Sequence, residues 1–101
     1  MASQQDLETL AAALGSRLLE RGEWLATAES CTGGWVAQAI TAIAGSSTWF
    51  DRGFVTYSNA AKAEMLGVPG VTLERHGAVS EHTARAMARG VVDHSRAHWA
   101  V

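Results

Sequence analysis

From Gln4 to Arg21, apolar residues recur at three- and four-residue steps (Leu7, Leu10, Ala11, Leu14, Leu18), which predicts an amphipathic helix with Ser3 as its cap. Gly22 ends that pattern. Glu23 to Glu29 reads as a short strand, with Trp24, Ala26 and Ala28 on one side and Leu25 and Thr27 on the other. Apolar groups on both faces are what a strand covered by helices on each side requires. A second helical pattern runs from about Gly33 to Ile43 and stops at Ala44-Gly45-Ser46-Ser47, where glycine and serine mark a loop. Trp49 to Tyr57 forms a second strand region, aromatic and β-branched despite Gly53. Asn59 is placed to cap a helix from Ala60 to Leu66, closed by Gly67 and Pro69, with Lys62 in its first turn. Val71 to His76 is expected to be extended or irregular. Ser80 caps a further helix with an apolar stripe of Ala84, Met87, Ala88, Val91, Val92 and Ser95, and Ala97 to Val101 reads as a strand beginning. Helices alternating with strands predict an α/β fold, its sheet lying between helix layers.

Composition narrows the class. The chain has 101 residues, 48% of them hydrophobic, enough for one domain with a core of its own. Eight basic against ten acidic residues, with no basic cluster, leave no footprint for nucleic acid. No apolar run approaches the roughly 18 residues needed to cross a bilayer, and the first residues lack the basic start and apolar core of a signal peptide. The single cysteine, Cys31, builds no disulfide framework. The expected setting is therefore the cytoplasm, without nucleic-acid or membrane partners.

Chemistry concentrates at Thr27-Ala28-Glu29-Ser30-Cys31-Thr32-Gly33-Gly34, where the first strand becomes the second helix. The first N–H groups of a helix lack intrahelical partners and favour an anion or a developing oxyanion, and the two glycines admit close approach. Three functional readings compete there with a plain helix cap by Ser30 or Thr32: Ser30 as nucleophile, Cys31 as nucleophile, and the whole turn as an anion cradle. Cys31 also reads simply as a small packed side chain. Glu29 is either a partner of that site or an anion for the helix dipole. A serine nucleophile needs a base. His76, His82, His94 and His98 show no triad spacing and read as surface or packing residues. Lys62, near a helix N-terminus, suits a lysine base, with Tyr57 placed to bond it or relay a proton; a solvated lysine and a core tyrosine are the simpler alternatives. No zinc pattern and no Gly-x-x-x-x-Gly-Lys-Ser/Thr pattern is present, so neither a metal nor another cofactor is expected. The four tryptophans read mainly as core, although Trp49 is near enough to a loop to stack on a planar ligand.

Four ordered motifs together resemble one known family: the Thr27–Gly34 stretch; Gly45-Ser46-Ser47 with Phe50; Gly53-Phe54-Val55-Thr56-Tyr57-Ser58-Asn59 with Lys62 and Leu66-Gly67-Val68; and His76-Gly77-Ala78-Val79-Ser80. The chain is similar to the C-terminal domain of the competence/damage-inducible protein CinA, a domain that also occurs alone as a nicotinamide-nucleotide amidohydrolase. The resemblance implies a three-layer α/β/α fold with a mixed sheet, like that of anticodon-binding domains. It implies hydrolysis of the carboxamide of nicotinamide mononucleotide to nicotinate mononucleotide and ammonia, without a cofactor, by a homodimer. Matched residue by residue, the nucleophile falls on Ser30, the base on Lys62 and the assisting tyrosine on Tyr57. Cys31, Thr32, Gly33 and Gly34 fall in the substrate and oxyanion set, together with Gly45, Ser46 and Ser47. Ala44 stands where the family commonly has proline. Residues 1–101 are expected to form a single domain of the standalone kind that lacks its C-terminal part, including a Thr-Gly-x-Ala-Gly-Pro-rich motif. A nucleotide-binding module without turnover, or an inactive fragment, is the alternative.

Overall fold

In the computed structural model, which describes residues 2–101, helix α1 (Gln4–Arg21) begins as its sequence dictates. The Ser3 hydroxyl accepts from the Asp6 N–H at 3.1 Å while the Asp6 carboxylate accepts from the Ser3 N–H at 3.1 Å, a reciprocal cap that satisfies two orphan donors. Strand β1 (Leu25–Glu29) follows, then α2 (Trp35–Thr41), a single 3₁₀ turn (Ser46–Thr48) and β2 (Phe50–Val55). Helices α3 (Asn59–Leu66), α4 (Gly70–His76) and α5 (Glu81–Asp93) lead to the short strand β3 (Trp99–Ala100).

The sheet has the order β2-β1-β3, and β1 pairs parallel to both neighbours. The register sets Leu25 against Phe50 and, after an irregularity, Thr27 against Gly53 and Glu29 against Val55. The α/β class holds; every pairing among the described residues is parallel, where the resemblance implied a mixed sheet. The central strand is buried on both faces, as its two-sided apolar pattern requires. Leu25 joins Ala11, Leu18, Ile40 and Trp49 under α1 and α2. Ala26 joins Leu66, Val68, Met87, Val91 and Ala97 under α3 and α5. Two apolar clusters on opposite sides of one sheet make the three layers.

Several elements differ from expectation for identifiable reasons. Helix α2 starts at Trp35 instead of Gly33, because Gly33 and Gly34 take φ of 61° and 109° and form a turn. The cap of α3 is Ser58, not Asn59: its hydroxyl accepts from the Ala61 N–H at 3.0 Å. Val71 to His76, expected to be extended or irregular, belongs to helix α4, where Leu73 packs on the α3–α5 cluster. A contact from distant sequence outweighs weak local preference there. The buried stripe of α5 is Thr83, Met87, Gly90 and Val91, so Ala84 and Val92 lie exposed. The helix is rolled toward α3 because Gly90 rests on the Leu66 backbone; a Cβ at position 90 would stand 2.0 Å from the Leu66 carbonyl oxygen.

Candidate active site

Strand β1 ends at Glu29, and the chain turns sharply through Ser30, Cys31, Thr32, Gly33 and Gly34 before α2 begins. Within the turn the Gly33 N–H donates to the Ser30 carbonyl and the Trp35 N–H to the Thr32 carbonyl, both at 3.1 Å. This leaves Ser30 at the carboxyl end of the central strand, half-buried. Such a position, outside the strand ends of a parallel sheet, is where α/β folds bind ligands.

Lys62 reaches Ser30 from α3. It is 0% exposed, and its Nζ lies 3.1 Å from Ser30 Oγ, 2.9 Å from the Thr56 carbonyl oxygen and 2.9 Å from the Tyr57 carbonyl oxygen. No carboxylate pairs with it among the described ion pairs. The amine donates to all three oxygens: the two main-chain carbonyls fix its direction, and the Ser30 hydroxyl is its third partner. The protein thus aims the lysine with main-chain atoms, which constrain direction without supplying charge. Thr56 enters this site through its carbonyl oxygen alone, a role no side-chain pattern could have signalled.

Tyr57 contributes its carbonyl, while its side chain is 76% exposed and its phenol makes no hydrogen bond to Ser30 or Lys62. Cys31 and Thr32 are exposed on the turn beside Ser30. Gly33 and Gly34 shape that turn, and their amides are already engaged, that of Gly33 by Ser30 and that of Gly34 by Glu29 at 3.2 Å. Gly45, Ser46 and Ser47 are not brought to the site. They precede β2, at the end of the sheet where Leu25 begins β1, about 16 Å of strand away from Ser30 at about 3.3 Å per residue. Connection through a helix running back along the sheet puts them there, which their sequence distance from Ser30 did not reveal.

Glu29 is the residue the sequence left undecided. It is 4% exposed. Its carboxylate accepts from the Thr32 hydroxyl at 2.7 Å and from the N–H groups of Gly34, Val36 and Ala37 at 3.2, 2.8 and 3.0 Å. Burial by itself would raise its pKa; the Ala37, Val36, Thr32 and Gly34 hydrogen bonds together outweigh burial and hold it below the ordinary carboxylate value. The signal available in sequence was a carboxylate ending an otherwise apolar strand.

The histidines stand apart from this site, in the packing and surface roles expected of them. His76 and His82 stack at 3.6 Å between α4 and α5, His94 bonds the Gly90 carbonyl, and His98 accepts from the Trp24 N–H. Trp49 is buried beneath α1 and is not a ligand platform. Among the described residues no group of three or more His, Cys, Asp or Glu side chains could hold a metal ion.

A buried lysine aimed at a serine, on the turn after the central strand of a parallel sheet, defines an α/β domain with a paired Ser–Lys site. The chain belongs to the CinA C-terminal domain family, whose model matches residues 7–101. It is 57% identical over 99 residues to the nicotinamide-nucleotide amidohydrolase PncC of Enterobacter agglomerans, and 56% identical over 99 residues to PncC of Escherichia coli K12. Those alignments cover 98% of this chain and 60% of each relative, so the chain spans about 60% of the length of the curated relatives it matches. Among solved structures, the competence/damage-inducible protein CihA of Agrobacterium tumefaciens superposes with a TM-score of 0.91 at 49% identity, covering 99% of this chain and 59% of that one. A CinA superfamily protein of Escherichia coli gives 0.89 at 40% identity, covering 96% and 56%.

Proposed function

We propose that this chain carries the nucleophile-bearing part of an amidohydrolase that converts nicotinamide mononucleotide to nicotinate mononucleotide and ammonia. The observation that carries the proposal is the Lys62 Nζ, 3.1 Å from Ser30 Oγ and held on two main-chain carbonyls. The names of the PncC relatives supply the substrate class. In the proposed reaction neutral Lys62 takes the Ser30 proton as Ser30 Oγ attacks the carboxamide carbon. Turn amides hold the oxyanion, and Lys62 returns the proton to departing ammonia. Water then attacks the acyl carbon, giving a proton to Lys62, which passes it to the departing Ser30 Oγ as the acid is released. The exposed Tyr57 phenol, at the rim, assists by meeting the substrate. The proposed setting is the cytoplasm, and the proposed partners are the nucleotide and a second copy of the chain.

Ammonia release from nicotinamide mononucleotide tests this directly. Ser30→Ala is expected to abolish it, and Lys62→Met to lower kcat by about 100-fold or more, within the usual range of general-base effects. Undiminished release by Ser30→Ala would sink the nucleophile assignment. Because the chain spans 60% of its relatives, nucleotide binding without turnover is the competing reading, and calorimetric binding with no ammonia release would favour it.

A further inference from the structure

A carboxylate that ends a buried strand normally reaches solvent or a basic partner. Glu29 does neither. Its Oε1 takes three hydrogen bonds, from Thr32 Oγ1, Gly34 N–H and Val36 N–H, and its Oε2 takes one, from Ala37 N–H. No lysine or arginine lies within ion-pair distance among the described residues. The negative charge is balanced by peptide N–H groups at the start of α2 and by one hydroxyl.

This has a consequence for the amides around Ser30. Those of Gly34, Val36 and Ala37 point to Glu29, that of Gly33 to the Ser30 carbonyl and that of Trp35 to the Thr32 carbonyl. Among the amides that follow Ser30, those of Cys31 and Thr32 donate no hydrogen bond among the described residues, as is also true of the Ser30 N–H itself. The Cys31 and Thr32 amides directly follow the candidate nucleophile, and an amide next to the nucleophile in the chain is well placed to meet an oxyanion.

We propose that Glu29 is a positioning residue for the reaction at Ser30: by holding Thr32 and the first amides of α2 from inside the molecule, it fixes the turn so that the Cys31 and Thr32 N–H groups are the oxyanion donors. This rests on the amidase reading of Ser30. The donor set is therefore narrower than the Cys31–Gly34 stretch that the resemblance placed in the substrate and oxyanion set. Four bonds, two from the turn and two from the first residues of α2, lock the turn's shape before substrate arrives, so no reorganisation is needed as charge develops. The side chain itself makes no hydrogen bond to the nucleophile or the base.

The test uses Glu29→Gln, Glu29→Asp and Thr32→Val, with two readouts. The first needs no turnover. Cys31 is the single thiol of the chain and is exposed on this turn, so its alkylation by iodoacetamide at pH 7 reports the local charge and shape. Glu29→Gln deletes the charge and sets an amide NH₂ against the Ala37 N–H. It is expected to speed alkylation by about threefold, since the end of α2 is no longer neutralised beside the thiol. Thr32→Val removes only one of the four bonds and is expected to give a smaller rise, and Glu29→Asp, which keeps the charge, to stay nearer the parent rate. The second readout is ammonia release, where Glu29→Gln is expected to lower kcat by about tenfold or more while KM stays within about twofold, with partial rescue in Glu29→Asp. Unchanged alkylation in folded Glu29→Gln and Thr32→Val chains, or a kcat equal to the parent's in Glu29→Gln, would overturn the proposal. Ser30→Ala that still releases ammonia would instead remove Ser30 as the nucleophile, and the thiol rates alone would then decide whether Glu29 sets the turn.

Discussion

Lys62 and Glu29 are both buried ionisable side chains at one site, and the protein satisfies them in opposite ways. Carbonyl oxygens surround the amine, and N–H groups surround the carboxylate. The N–H groups around Glu29 hold its folded carboxyl below the ordinary value of 4.5. An unfolded chain therefore takes up a proton at Glu29 before the folded chain does. The stability that Glu29 contributes is fully present above about pH 4.5 and is lost as pH falls through the lower folded value. Asp51 works in the same sense. Its burial raises the pKa, while the bonds from Arg52 and the Arg96 N–H outweigh that and hold it below 3.8. Thermal unfolding measured from pH 7 to pH 2.5 should show a fall in Tm concentrated below about pH 4.5, and a smaller fall in Glu29→Gln. An identical acid dependence in the variant would show that Glu29 does not contribute. Sequence alone offered Glu29 two roles and could not choose, because its donors lie three to eight residues ahead and meet it only when the turn closes. The pairing of Ser30 with Lys62, across 32 residues, was suggested by family resemblance and not by spacing.

At the scale of elements, capped and strongly periodic segments behaved as their patterns required, and weakly patterned ones followed their neighbours. Ser3 and Ser80 start α1 and α5 where expected, each accepting from a backbone N–H three residues on. The roll of α5 was hidden by its composition, since alanine and valine on either side of Met87 allowed two neighbouring stripes. Gly90 decides between them by letting the helix settle on the end of α3. Gly90→Ala would gain helix propensity in isolation. Here the added methyl meets the Leu66 carbonyl oxygen, a backbone atom that cannot swing aside, so a net loss of about 1–3 kcal/mol is expected by chemical denaturation. A stabilised variant would mean that α5 packs differently. Because α3 carries Lys62, the same variant should also lower any activity that depends on the Ser30–Lys62 distance.

For the whole molecule, β1 is the axis: it separates the two apolar clusters, pairs on both edges and ends in the site. The outer surface keeps an apolar cleft of about 160 Å³ between α1 and α2, lined by Leu7, Leu10, Leu14, Val36, Ile40 and other apolar groups. Exposed apolar surface of this kind suits the proposed association of two copies. Light scattering is expected to give twice the chain mass of 10.7 kDa, and a value of 10.7 kDa across the concentration range would exclude a stable homodimer. The sequence by itself determined the α/β class, the central place of β1 and the starts of α1 and α5, because apolar period and cap chemistry act within a few residues. Tertiary structure alone decided the all-parallel pairing of the described strands, the helical state of Val71–His76, the distance of Gly45–Ser47 from Ser30, and the inward turn of Glu29. Those outcomes depend on which surfaces meet, and groups far apart in the chain compete for the same backbone donors and the same buried space only once it has folded.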